Sequence, residues 1–438
     1  SNHLTAQPSN HLTAQPSNRL YPTLLSKEQL MADKGKLGGV YYAYPNPLDV
    51  PHTKAPEGYK PFYISHYGRH GSRYQPNDAR YADTRKRLRD AKEEGRLTEF
   101  GNDVLARVEI LCDSCLGHGG LLTSVGERQH DAIARRMMQH YGEVFRTGAN
   151  VSARASVVKR CGQSMQAFIN GMQSVEGHNL NICAEIDSSY MEYLAYDTPE
   201  MRQLASKENE WWKEYQRYIR RKVDCTPLMR RLFSDASDMD TLQTTIDLYW
   251  LVVGMQNLDM PFTLDDVFTP DELLRCWQCV NYRMYVCNAN APFSRGIPAE
   301  SASSLLSNII ESADAVIDGR STDAATLRFG HDSNLLRLLA LMRVHNSVNE
   351  TDDFSSAWTL WQECQLTPMA ANLQMIFYCN DKGNVLVKIL LNENETVLDA
   401  GSLATENSVF YDWKELRHFF QSQLSTSHGH TDFIEPVQ

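Results

Sequence analysis

A histidine stands between two arginines in the string Arg69-His70-Gly71-Ser72-Arg73, directly after the apolar run Pro61-Phe62-Tyr63-Ile64-Ser65. Guanidinium forks match the oxygens of a phosphate dianion, and a neutral imidazole between them is placed to act as a nucleophile. Hydrolysis of a phosphate monoester through a covalent intermediate needs three things: an in-line nucleophile, fixed positive charge on the non-bridging oxygens, and an acid for the leaving alkoxide. Two further stretches supply the rest. Arg160 opens the helical pattern Lys159-Arg160-Cys161-Gly162-Gln163-Ser164, where a helix N-terminus already favours an anion. His331-Asp332-Ser333-Asn334 follows the strand-like run Ala325 to Gly330. The candidate roles are His70 as nucleophile, Arg69, Arg73 and Arg160 as the phosphate clamp, and His331 as a fourth donor. Asp332 is the candidate proton donor and later the base that activates water. By itself His70 is equally well explained as a satisfied core histidine; the arginine-flanked string together with a second His-Asp pair is not explained by packing.

These residues need strand ends to carry them. The run 61–65 predicts a buried strand that passes into a turn at Tyr67, and Val151 to Ala155 predicts a second, short strand before the Arg160 helix. A third strand over 325–330 leads through a polar turn into the amphipathic run 335–342. Gln374 to Tyr378 and Val385 to Leu390 flank Asn380-Asp381-Lys382-Gly383-Asn384, which predicts a hairpin. Residues 19–60, rich in proline, glycine and tyrosine, predict an extended arm. Residues 78–98 predict a helix with dense positive charge, either a solvated face or the rim of a cleft. The run from Leu122 predicts a helix capped by Thr123 or Ser124, with Glu127 closing a capping box on Ser124 and with His130 as a packed helix residue. From about 190 to 300 aromatic residues recur at helical spacing (Trp211, Trp212, Tyr215, Tyr218), and helices are expected near 242–256 and 271–287. The stripe reads as helix core rather than a ligand platform.

The expected class is therefore α/β, a central sheet flanked by helices. Residues 19–190 and 301–438 form the core and residues 191–300 a helical insertion beside it. Residues 1–18 repeat Ser-Asn-His-Leu-Thr-Ala-Gln-Pro and are set aside as a leader. A net charge of −11 argues against broad nucleic-acid or anionic-membrane binding but leaves room for an arginine-lined pocket. No run approaches the length of a membrane span. The ten cysteines include Cys112-x-x-Cys115 and Cys276-x-x-Cys279. That spacing suits zinc, but the pairs are far apart on helix-like sequence, so a mixture of buried thiols and one or two disulfides is expected instead.

The motifs Arg69-His70-Gly71-x-Arg73, Arg160 eight residues before Phe168, and His331-Asp332-x-Asn334 resemble those of the clade-2 histidine phosphatases. These are the histidine acid phosphatases that include phytases, glucose-1-phosphatases and multiple inositol polyphosphate phosphatases. The resemblance spans about residues 40 to 430. It implies a central mixed sheet with a helical domain over the active-site edge, a phosphohistidine intermediate, no metal or other cofactor, a small phosphorylated substrate, and a periplasmic or secreted location. Two features depart from the pattern. Gln75 stands where many members have proline, with Pro76 one place later, and His331-Asp332-Ser333 replaces the His-Ala-Glu frequent in the inositol polyphosphate branch. Leu122-Thr123-x-x-Gly126-Glu127-Arg128-Gln129-His130 and Pro368-Met369-Ala370-Ala371-Asn372 look more like that branch. The preferred substrate is expected to be phytate or another inositol polyphosphate. A sugar phosphate or a broad range of monoesters is the alternative, and a phosphate-binding protein without turnover the lesser one.

Overall fold

The computed structural model describes residues 20–45, 50–401, 403 and 408–428; the duplicated leader lies outside them. Its centre is an eight-stranded mixed sheet. The strands are β1 (Lys60–Arg69), β2 (Asn150–Ala155), β3 (Asn181–Ile186), β4 (Asp323–Gly330), β5 (Asn372–Cys379), β6 (Val385–Leu391), β7 (Asn394–Thr396) and β8 (Phe410–Asp412). They run in the order β3-β2-β4-β1-β5-β6-β7, with β8 beside β6. Strands β1 to β4 pair in parallel, whereas β5 to β8 pair antiparallel, and the Asn380–Asn384 turn joins β5 to β6.

Register explains where the chemistry collects. Arg69 pairs with Gly330, and Ala155 with Phe329, so β1, β2 and β4 end at one edge of the sheet. His70, Ser156 and His331 are the residues that immediately leave those three ends, the place where open α/β sheets present polar groups to a crevice. Strand β1 does not turn at Tyr67 as its apolar run suggested. It lies between β4 and β5, and ladders on both sides carry it as far as Arg69. Its side chains alternate between two cores: Tyr63 and Tyr67 pack with Leu306, Leu335 and Trp413, and Ile64 with Phe168, Ile133 and Phe329 on the opposite face.

A third apolar cluster is built by helices. It joins Leu88, Val104 and Leu111 to Trp211, Tyr215, Tyr249, Trp277 and Tyr282, so the aromatic stripe is helix core. Between Met191 and Ile317 the described elements are helices only, among them Thr241–Gly254 and Pro270–Asn288. The arm before β1 is not extended throughout. Ser26 and Gln29 form a capping box that starts a helix at Lys27–Ala32, and a helical turn follows at Lys36–Tyr41. No cysteine forms a disulfide, contrary to the expected one or two. Cys112, Cys115, Cys276 and Cys279 all serve the helical core, and burial pushes the Cys112 and Cys115 thiols up to about 11 and the Cys279 thiol to about 12. The helix Ser124–His140 is capped by Thr123, whose hydroxyl accepts from the Gly126 amide; Ser124 instead donates to Asp259, so the expected box with Glu127 does not form.

Candidate active site

Backbone hydrogen bonds fix the motif loop before any side chain acts. The His70 amide donates to Gly330 O (3.0 Å), the Ala370 amide to His70 O (2.9 Å), and the Arg69 amide to Ala371 O (2.7 Å). Gly71 lies against Gly126, where an added Cβ would stand 2.7 Å from a carbonyl oxygen, so the glycine is required by the approach of another backbone. Its amide donates to Ser164 Oγ (3.0 Å), one helical turn beyond Arg160. Ser72 ties the loop to the helical layer, its hydroxyl donating to Asn257 Oδ1 (2.6 Å).

His70 is 2 % exposed, and its Nδ1 lies 2.8 Å from Gly71 O. A carbonyl oxygen can only accept, so Nδ1 carries the proton and Nε2 keeps its lone pair. Burial, followed by the charges of Arg69, Arg160 and Arg73, holds the imidazole well below its usual value and therefore neutral.

Arg69 is fully buried. Its Nη1 donates to Val40 O and Thr367 O, both at 2.7 Å, while Nε and Nη2 have no hydrogen-bond partner. Nη2 is 3.5 Å from Asp332 Oδ2. Burial lowers the guanidinium to about 10, which leaves it charged. Arg73 donates from Nη1 to Tyr74 O (2.9 Å) and lies over the Tyr41 ring at 5.0 Å; Arg160 reaches Gly120 O at 3.4 Å. The Nε atoms of both are buried without a partner. Three cations thus converge with unmet donors, an arrangement that costs stability unless an anion completes it.

His331 caps the helix Asp332–Met342, which begins directly at the strand end with no intervening turn. Its ring centroid is 6.1 Å from that of His70. Burial and Arg160 lower His331 to about 4. Burial opposes ionisation of Asp332, but Arg69, the Ser333 amide, His331 and Arg73 outweigh it and hold the carboxyl below its usual range.

Beyond the clamp, the other residues singled out in the sequence take structural positions. Gln75 is buried; its amide donates to Trp250 O (2.7 Å) and its oxygen accepts from Tyr41 OH (3.1 Å), so it ties two layers together. On the basic helix Ala79–Glu93, Arg85, Lys86, Arg87 and Arg89 pair with carboxylates. Arg80 instead donates to Tyr41 OH (2.8 Å) and Gln75 Oε1 (3.2 Å). His130 is a packed helix residue, donating from Nε2 to Arg69 O (3.1 Å). Sequence reasoning missed Tyr41, Ser156 and Ser164. Position at the end of β2 is the signal for Ser156, and one turn beyond Arg160 the signal for Ser164; nothing local marks Tyr41.

Residues 68–392, about three-quarters of the chain, match the family described as the histidine phosphatase superfamily (branch 2). The chain belongs to that family. This branch-2 histidine phosphatase is a phosphomonoester hydrolase. No curated protein matches it in sequence. Among solved structures it resembles the multiple inositol polyphosphate phosphatase of Bifidobacterium longum in complex with inositol hexasulfate, at 18% identity and a TM-score of 0.69, covering 89% of this chain and 98% of that one. The phytase from D. castellii, at 15% identity and a TM-score of 0.67, covers 98% of this chain and 93% of its own. At these identities the likeness is one of fold. Among the described residues no helix is long and apolar enough to cross a membrane.

Proposed function

We propose that this phosphatase hydrolyses monoesters through a phosphohistidine at His70, with an inositol polyphosphate as its preferred substrate. The observation that carries the reading is the pairing of a neutral His70, its Nε2 lone pair free, with unpartnered donor edges on Arg69, Arg73 and Arg160. Nε2 attacks phosphorus while the arginines and His331 hold the non-bridging oxygens, and Asp332 protonates the departing alkoxide. The Asp332 carboxylate then takes a proton from water as that water attacks the phosphohistidine, releasing phosphate and restoring His70. Bound phosphate brings negative charge beside Asp332 and so lifts it from the depressed value of the empty site towards one at which it can donate.

The substrate preference draws support from Arg80, a cation bound by neutral groups at the hydroxyl end of the ring whose face carries Arg73. It suits a second phosphate of the same substrate. Arg85, Lys86, Arg87 and Arg89 of the same helix are paired with carboxylates and lend no support. A broader monoester range is favoured by Val157, two residues past the end of β2, and Ile186, the last residue of β3, both exposed apolar residues. Residues 191–300 act in this reading as the helical wall of the cleft, reached from the motif loop through Trp250 and Asn257. An extracytoplasmic location belongs to the same proposal and is checked by cell fractionation.

The test is phosphate release from phytate, glucose 1-phosphate and an aryl phosphate by wild type and His70→Ala. Wild type is expected to favour phytate, and the variant to lose on the order of 10⁴-fold or more on every ester. Unchanged hydrolysis in the variant would sink the mechanism, whereas equal rates on all three esters would sink only the substrate preference.

A further inference from the structure

Ser156 leaves the end of β2 and is wholly buried, yet the catalytic scheme above does not use it. Its Oγ lies 2.9 Å from His331 Nε2 and 3.2 Å from the Val158 amide nitrogen. The amide can only donate, so Ser156 Oγ accepts there and has its own proton left to give. The two acceptors within reach of that proton are the imidazole nitrogen and the sulfur of Cys161. The thiol itself donates to Gly330 O at 3.3 Å, and its sulfur is 3.7 Å from His331 Nε2. Sulfur is a much weaker acceptor than an sp² ring nitrogen, so the serine proton goes to Nε2.

We infer that Ser156 is a positioning residue that fixes His331 in the tautomer protonated on Nδ1, so that the neutral ring donates from Nδ1 to the phosphate. The charged groups around His331 agree with a neutral ring. Burial, then Arg160 and Arg69, disfavour its protonation, and Asp332 and Asp197 oppose them without reversing the downward shift. With Nε2 engaged by Ser156, Nδ1 is the nitrogen left to donate to a ligand, and the opposite tautomer would leave the Ser156 proton to a thiol. The inference rests on the proposed role of His331 in the clamp, but the tautomer itself is measurable without turnover.

The decisive experiment is imidazole nitrogen NMR on histidine-labelled full-length protein, the His331 signals being assigned by their loss in His331→Gln. Wild type is expected to show a protonated Nδ1 and an unprotonated Nε2 at pH 6 to 7; a protonated Nε2 would overturn the inference, and this readout stands even if no serine variant folds. Ser156→Ala is expected to shift the ring towards the Nε2-protonated form and lower kcat/KM on the order of 10-fold or more, with Ser156→Thr restoring both. An unmoved tautomer in a folded Ser156→Ala protein overturns the serine's role. A shifted tautomer with unchanged kcat/KM upholds the serine's role and removes His331 from the clamp instead, a failure of the functional reading.

Discussion

Arginines of the basic helix and arginines of the pocket are the same residue type under opposite hydrogen-bond conditions. Arg87 lies 2.8 Å from Asp247 and Arg89 pairs with Glu109, each cation neutralised by a carboxylate on another helix. Arg69, Arg73 and Arg160 are held mainly by backbone carbonyls, which orient a guanidinium without cancelling its charge; Arg69 also lies 3.5 Å from the Asp332 carboxylate, and each of the three retains a buried donor with no hydrogen-bond partner. Charge density along the chain is greater in the first group. In the proposed mechanism the second group receives the anion, because a buried unmet donor is tolerated only where a ligand or water completes it.

Substituting members of the two groups should separate them. The largest effect is expected from Arg69→Lys. An ammonium cannot donate to Val40 O and Thr367 O while also presenting a flat edge to phosphate, so kcat/KM should fall about 10²- to 10³-fold. A fall in melting temperature should accompany it. Asp332→Asn should lower turnover of alkyl phosphates by about 10²- to 10⁴-fold but that of activated aryl phosphates far less, since only the former need an acid for the leaving oxygen. Equal losses on both would remove Asp332 as the proton donor.

Arg160→Gln should cost about 10²-fold in kcat/KM and also move the pH profile. In the proposed mechanism the nucleophile must be neutral, and burial, Arg69, Arg160 and Arg73 together hold His70 well below 6.5, so the acid limb of wild-type kcat/KM is expected well below that pH. Removing the Arg160 charge lets the His70 pKa rise, and the limb should shift towards neutral pH. An unshifted limb would mean that Arg160 does not act on His70. The smallest effect is expected from Arg87→Gln: unchanged kcat/KM and about 1 kcal/mol or less of stability, measured by denaturant unfolding. A large loss of activity there would erase the distinction between the two groups.

Much of the fold was legible because its signals are local. The apolar runs before Tyr67 and Gly330, the hairpin residues Asn380 to Asn384, and the helical spacing of Trp211, Tyr215 and Tyr218 each report one element. The errors arose where distant partners decide. The end of β1 was set by pairing with β4 and β5, and the cap at Thr123 by which hydroxyl Asp259 captured. Of the site, types and spacing pointed to His70, the arginines, His331 and Asp332, whereas Ser156 is marked only by its place at the end of β2 and Tyr41 by nothing local.

By itself the sequence determined the chemical inventory: a histidine flanked by guanidinium groups, a second His-Asp pair, and the strands that end beside them. Tertiary structure decided which guanidinium donors remain unmet and which atom of each ring bears its proton. Those properties depend on carbonyls and hydroxyls brought in from Val40, Thr367, Gly71 and Ser156. Except for Gly71, each lies far along the chain from the group it orients, and hydrogen bonds between backbone and side chain follow proximity in space, which residue type does not encode.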